Sequence, residues 1–262
     1  MPSTYAHFRL GCEAERLLPE SLKTLADDNF DCFALGLHGP DLLFYYKPLT
    51  NNPTNAIGYA IHEKYASEFF TAAAKTFEAR GKRPEDEAYL LGFLCHFALD
   101  SEAHPFVNAE MKAKNITHTE IESAFDKYLL EKDGKNPFKT DLTAHILCTE
   151  RTQDVAAAYF GVDKKKAKKA LKSIKFYNRI MRCHSPFARA IITALLKISG
   201  MWEIMHGMIL PVKHDERWND GIAELEGAYS VAADKAADLM INYDGYLHGK
   251  CPLSTLLDRD FE

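Results

Sequence analysis

Closely paired cysteines, glycine-rich loops and long uncharged apolar runs are all missing from this sequence, and each absence closes off a class of function. The six cysteines, Cys12, Cys32, Cys95, Cys148, Cys183 and Cys251, are far apart with no CxxC. Neither a thiolate zinc ribbon nor a disulfide scaffold is expected, and the thiols should be reduced and mostly in the core. The absence of a Gly-rich phosphate loop and of GxSxG sets aside nucleotide cradling and a serine nucleophile. Residues 1–30 lack the order of a secretory signal, since Glu13, Glu15 and Arg16 interrupt any apolar core, so a cytoplasmic location is expected. The longest apolar stretch, from Pro186 to Val212, carries Arg189, Lys197, Glu203 and His206, too many ionisable groups for a lipid-facing span. It reads as a buried or interfacial helix. A formal charge of −5 gives no overall cationic footprint, and no stable nucleic-acid partner is expected.

With 47% apolar and 26% charged residues in 262, the chain can build one sizeable core, and residues 1–262 read as one helical domain. Nearly every segment has a 3.6-residue period and none alternates long enough for a sheet, so the fold class is all-α. Helices are predicted around residues 10–27, 60–80, 84–104, 118–131, 140–160, 163–182, 187–208 and 216–243. Gly39-Pro40, Asn52-Pro53, Gly81 to Pro84 and Gly134 to Pro137 mark joints. Pro105 should end the helix carrying His96 and Asp100 close to His104, because proline disfavours helical geometry in the residue before it. Lysines 164, 165, 166, 168, 169, 172 and 175 crowd one helix whose apolar face is Ala167, Ala170, Leu171 and Ile174. That run reads first as a solvated face, with docking to an anionic membrane or a polyphosphate as the alternative.

The most specific passage is Gly92-Phe-Leu-Cys-His96-Phe-Ala-Leu-Asp100-Ser-Glu-Ala-His104-Pro105. Steps of four drift only about 40° around a helix, so His96, Asp100 and His104 share a face. Phe93, Leu94, Phe97 and Leu99 mark the helix as buried, where a carboxylate between imidazoles is costly without a compensating cation. A zinc ion would satisfy all three groups; a hydrogen-bonded Asp–His pair is the alternative. His118 and Glu122 lie one turn apart at the start of another helix, a pattern also common in solvated pairs. Asp41, after Gly39-Pro40, is a candidate ligand or a helix cap, and His62, at the start of a predicted helix, a candidate ligand or a dipole partner. His7 lies between Tyr5 and Phe8, which suggest burial. His38 is left outside the set as a turn or supporting residue. Tyr45, Tyr46, Phe69 and Phe70 are pocket candidates that also fit a core.

Taken in order, His7, Asp41, His62, His96-x3-Asp100, His104 and His118-x3-Glu122 resemble the zinc-dependent phospholipase C family, related in fold to the S1/P1 nucleases, over residues 1 to about 126. Residues 127–262 show a compatible helical pattern. Gly-Phe-x2-His-x3-Asp-x3-His-Pro looks like the intracellular bacterial branch. The resemblance implies a multi-helix phospholipase C/P1 nuclease-like bundle with two or three Zn2+ ions. One zinc position would use Asp41, His62, His96 and Asp100, another His104, His118 and Glu122, and a third His7 with Asp100 as the bridge. In the family the third position is completed by the amino terminus of the mature chain; here trimming of Met1 would offer the secondary amine of Pro2.

The implied activity is phosphodiester hydrolysis of the phospholipase C type by metal-activated water at a di- or trinuclear zinc centre. Asp41, Asp100 and Glu122 are its catalytic carboxylates: Asp100 bridges the metals, and Asp41 or Glu122 orients or deprotonates the water. The substrate would be a phosphoester, with phospholipid and peripheral membrane contact suggested by the family, the amphipathic 187–210 segment and the lysine-rich helix. The alternatives are a non-catalytic, metal-stabilised binding protein and a P1-like nuclease or phosphatase.

Overall fold

The computed structural model describes residues 4–183 and 185–262. Among them the regular structure is entirely helical: α1 (Thr4–Arg16), α2 (Glu20–Asp28), α3 (Phe30–Gly36), α4 (Pro53–His62), α5 (Ala66–Ala79), α6 (Pro84–Lys114), α7 (His118–Lys132), α8 (Glu150–Phe160), α9 (Lys164–Met181), α10 (Pro186–Ile198), α11 (Trp202–Met205) and α12 (Asn219–Leu247), with short 3-10 turns that include Gly39–Tyr45. The fold is all-α. No helix among the described residues is long and apolar enough to cross a membrane. The six cysteines are unpaired, with Cys32, Cys95 and Cys183 buried.

The central element is α6. Residues 86–101 are buried without interruption, as expected of a helix that is apolar nearly all round. Helices α3 and α12 pack along it, with α1, α5, α7 and α8 completing the surround. The approach of α3 is close enough to need glycine on both sides. A Cβ on Gly36 would stand 2.1 Å from the Tyr89 carbonyl oxygen, and one on Gly92 would stand 2.1 Å from that of Phe33. This contact delivers the turn after α3 onto the face of α6 that carries His96.

Several predicted boundaries need correction. The 10–27 helix is two, because Pro19 disfavours helical geometry at Leu18 and restarts the chain as α2. The 60–80 helix is also two. Asn52 caps α4 by accepting from the backbone amides of Thr54 and Asn55, with Pro53 in the first turn, so His62 ends a helix instead of starting one. The 140–160 helix begins only at Glu150, where Thr149 and Thr152 form a reciprocal cap. The 187–208 helix breaks at Gly200, whose φ of 72° suits a residue without a Cβ.

The largest departure is at Pro105. Helix α6 runs through it to Lys114 instead of stopping near His104. A proline inside a helix removes the N–H that the carbonyl four residues earlier would accept, here that of Ser101. The Arg259 guanidinium donates to that carbonyl instead, so a chain segment more than 150 residues away satisfies the orphaned acceptor. Arg259→Met should destabilise the protein by about 1–2 kcal/mol in denaturant unfolding, the cost of leaving one partly buried acceptor unpaired. In a Pro105→Ala background, where the restored amide reaches Ser101, the same change should cost distinctly less. Equal costs in the two backgrounds would refute the substitution of one donor for the other.

Candidate metal centre

Helix α6 presents His96, Asp100 and His104 along one face, and Asp100 lies between the others. Its Oδ2 is 3.0 Å from His96 Nε2 and 3.7 Å from His62 Nε2, while its Oδ1 is 3.2 Å from His7 Nε2 and 3.7 Å from His104 Nε2. The two oxygens of one carboxylate thus face two different pairs of imidazoles. All of Asp100 except a sliver is buried, at 4% exposure.

Each of the other candidates is brought in by local structure that its own sequence dictates. Helix α1 begins at Thr4, and its early amides at Tyr5 and Ala6 donate to the Asp126 carboxylate at 3.1 and 2.8 Å. This capping from α7 fixes the first turn and sets the His7 ring on that of His96, with centroids 4.3 Å apart. Gly39 has a φ of 42°, and a Cβ there would stand 2.3 Å from His96 Cδ2. Only glycine lets the turn lie against that imidazole and carry Asp41 inward, where its Oδ1 is 3.2 Å from His62 Nε2.

Two rings are oriented from behind by carbonyl oxygens. His62 Nδ1 donates to Gly58 O at 2.8 Å, and His104 Nδ1 donates to Phe261 O at 2.6 Å. A carbonyl can only accept, so Nδ1 carries a proton and Nε2 is the ring atom turned toward the centre. On α7, Thr117 and Glu120 form a capping box, and the first turns beyond it hold His118 Nε2 3.0 Å from Glu122 Oε1. Glu122 Oε1 is also 3.9 Å from His104 Nε2, which links this pair to α6.

Electrostatically the centre calls for positive charge. Burial pushes the carboxyls of Asp41, Asp100 and Glu122 up, yet positive neighbours hold all three well below the usual range, among them His62 for Asp41, His96, His104 and His7 for Asp100, and His118 for Glu122. Burial lowers His62, but hydrogen bonds to Asp100 and Asp41 overcome it and push the imidazole up to about 10. Beside the ionised Asp41 and Asp100 carboxylates, His62 thus takes positive charge. His7 goes the other way, lowered by burial and by His96 beside it.

The donor set fits zinc. His96 is fully buried and neither ring nitrogen has a hydrogen-bond partner, although Nε2 is only 3.0 Å from Asp100 Oδ2; His7 Nδ1 is also without one. Buried ring nitrogens left without partners beside carboxylate oxygens suit a metal ion, and neutral imidazole and carboxylate are ordinary zinc donors. At this centre three groups bring their ligand atoms within 4.8 Å of one another, namely His7, His96 and Asp100; Asp41, His62 and His96; and His104, His118 and Glu122, while Glu87, Asp244 and His248 form another elsewhere. All eight sequence candidates therefore meet in one place, in groupings that overlap those implied by the resemblance. The Pro2 amine lies outside the described residues.

The centre floors a cavity of about 610 Å³, a size ordinary for small-molecule sites. Asp41, His62, Asp100, His104, His118 and Glu122 line its floor, and Phe44, Tyr59, Met201, Met205 and Met208 give it an apolar wall. Of the aromatic candidates, Tyr45 lines the cavity, whereas Phe70 is fully buried and the half-buried Phe69 stacks on Phe93. His38 stays outside the ligand groups: its Nε2 is 2.7 Å from His145 Nε2, and burial, then the neighbouring imidazole, lowers its pKa. Sequence reading missed the supports from far along the chain, namely Asp126, Phe261 and Arg259. Asp126 alone left a trace, one turn after Glu122; the carbonyl of Phe261 leaves none, since any residue could supply it.

A family model described as zinc dependent phospholipase C matches residues 6–192. No curated protein and no solved structure matches the chain. The matched span contains His7, Asp41, His62, His96, Asp100, His104, His118 and Glu122, and on this match the chain belongs to the zinc-dependent phospholipase C family.

Proposed function

We propose that the protein is a phospholipase C-like phosphodiesterase that uses two or three zinc ions held by these eight residues. The observation that carries this reading is the cavity lining. It includes the carboxylates of Asp41, Glu63, Asp100, Glu122 and Glu262 and, among the described residues, no lysine or arginine. Such a cavity repels a phosphoester unless bound cations reverse its sign. Zinc, when bound, supplies Lewis acidity that brings the pKa of water to about 7 and neutralises charge on a phosphoryl oxygen.

The chain's own groups would do the rest. His7, His62, His96, His104 and His118 would hold the metal through imidazole nitrogen, and Asp100, whose two oxygens face different pairs of imidazoles, would be shared between ions. Asp41 and Glu122, ionised and facing the cavity, accept hydrogen bonds from the attacking water and aim it at phosphorus. Their depressed pKa values favour orientation over proton removal, for which a group near pH 7 is better matched. Water adds to phosphorus and the ester P–O bond breaks, giving a phosphomonoester and an alcohol; for a phospholipid these are the phosphorylated headgroup and diacylglycerol. The apolar wall of Phe44, Tyr59 and the three methionines suits a hydrocarbon-bearing ester better than a polynucleotide, which would want a cationic groove. A purely structural metal site would have its ligands closed off, whereas six of these line a cavity.

The test is hydrolysis of a chromogenic phosphodiester and of a short-chain phospholipid by the zinc-loaded protein. Turnover should vanish with a chelator and return with zinc. Full zinc occupancy with no hydrolysis of either substrate would refute the reading.

A further inference from the structure

Helix α10 turns the usual logic of an amphipathic helix outward. At 100° per residue, Phe187, Ile191, Leu195 and Ile198 fall within about 80° of one another, and they are exposed by 76%, 44%, 60% and 84%. Ala190 and Ala194 complete that face and are exposed too. The inward side holds the polar contact: Arg189 donates to the Leu210 carbonyl at 2.5 Å. Leu196 alone of this helix is buried, in a small apolar cluster with Met181, Cys183, Met205 and Ile209 that is separate from the main core.

The preceding helix carries charge in the same manner. Lys165, Lys168, Lys172, Phe176 and Arg179 recur at i, i+3, i+7, i+11 and i+14 on α9, all exposed. Across residues 164–213 twelve lysines and arginines face a single carboxylate, Glu203, in a chain whose formal charge is −5. Tyr177 of α9, Met201 just before α11, Met205 at its end, and Met208 just beyond line the cavity above the metal centre.

We infer that α9 and α10 form a docking surface for an anionic lipid membrane, with the apolar stripe of α10 entering the interface and the α9 cations meeting headgroups. This rests on, and extends, the phospholipase reading, because α9, which would meet the headgroups, and the segment that follows α10 supply Tyr177, Met201, Met205 and Met208 to the cavity wall. Continuous outward apolarity beside concentrated positive charge is the composition that binds anionic interfaces. A second copy of the chain fits less well. A stable dimer buries about 800 Å² on each partner, more than one stripe of four large side chains provides, and pairing would oppose two faces of the same sign.

Co-sedimentation with vesicles of phosphatidylcholine, with and without 30% phosphatidylglycerol, tests the surface, using the zinc-loaded full chain. The protein should pellet with the anionic vesicles, with binding that weakens as salt rises. The double variant Ile191→Glu/Leu195→Glu should lower the bound fraction at least tenfold and leave hydrolysis of a soluble chromogenic phosphodiester within twofold. Lys168→Glu/Lys172→Glu, on the other helix, should weaken binding to anionic vesicles only. Failure of the wild type to bind, or equal binding by wild type and both variants, would overturn the docking surface. Soluble hydrolysis without vesicle binding sinks this inference alone; vesicle binding without any hydrolysis sinks the phosphodiesterase and leaves the surface standing.

Discussion

Asp100→Asn should cost the protein at least one zinc and more than about a hundredfold in phosphodiester turnover, while far-ultraviolet circular dichroism stays close to that of the wild type. Losing an outer hydrogen-bond partner of a ligand typically costs 10–100-fold, and Asp100 is placed more critically than that. Its oxygens face His96 and His62 on one side and His7 and His104 on the other. The amide keeps the shape but turns one oxygen into an NH₂ that cannot ligate and meets imidazole lone pairs with hydrogens instead. The helix itself should persist, since its packing rests on Tyr89, Phe93, Leu94 and Phe97, all fully buried. Unchanged metal content and turnover in this variant would refute the bridging role proposed for Asp100.

The second large effect is thermal. Stripping zinc leaves Asp41, Asp100 and Glu122 ionised and buried together beside the imidazoles of the centre, an arrangement that low-dielectric surroundings penalise. Saturation to about a thousand times Kd stabilises a folded state by about 4 kcal/mol. For a chain of this size that corresponds to a melting temperature on the order of 10 °C higher than in chelator. Coincident melting curves with zinc and with chelator would show that the cluster holds no ion of consequence.

How much of this was legible in the sequence differs from residue to residue. The shared face of His96, Asp100 and His104 follows from helix periodicity alone, and the structure keeps it. That periodicity says nothing of what lies opposite. The opposing Asp41 arrives through a turn whose Gly39 must sit against His96, a tertiary demand with only a Gly-Pro pair to announce it. His62 was foreseen as a candidate but assigned to the wrong end of its helix, although Asn52-Pro53 already held the correct start. Pro105 misled for a definite reason. The rule that proline ends a helix assumes that nothing replaces the lost amide, and here Arg259 does.

The carboxy-terminal segment was illegible as part of the site, because it acts through backbone. Phe261 donates its own amide to His62 O at 3.3 Å and offers its carbonyl to His104, roles that leave no mark on composition or spacing. Helix α10 was ambiguous in a different way. Its apolar period fits a core helix and an interfacial one equally, and only the exposure of Phe187, Ile191, Leu195 and Ile198 in the folded chain argues against the core. Local pattern thus specifies which residues share a face, while long-range contacts decide what that face meets.

The most direct test of the central claim is elemental analysis of metal per chain in protein purified without an affinity tag or added zinc. Two or three zinc ions per chain, falling in Asp100→Asn, is the expected result. A folded chain containing no transition metal would contradict it, and would mean that the eight convergent side chains are held together by hydrogen bonds and ion pairs alone.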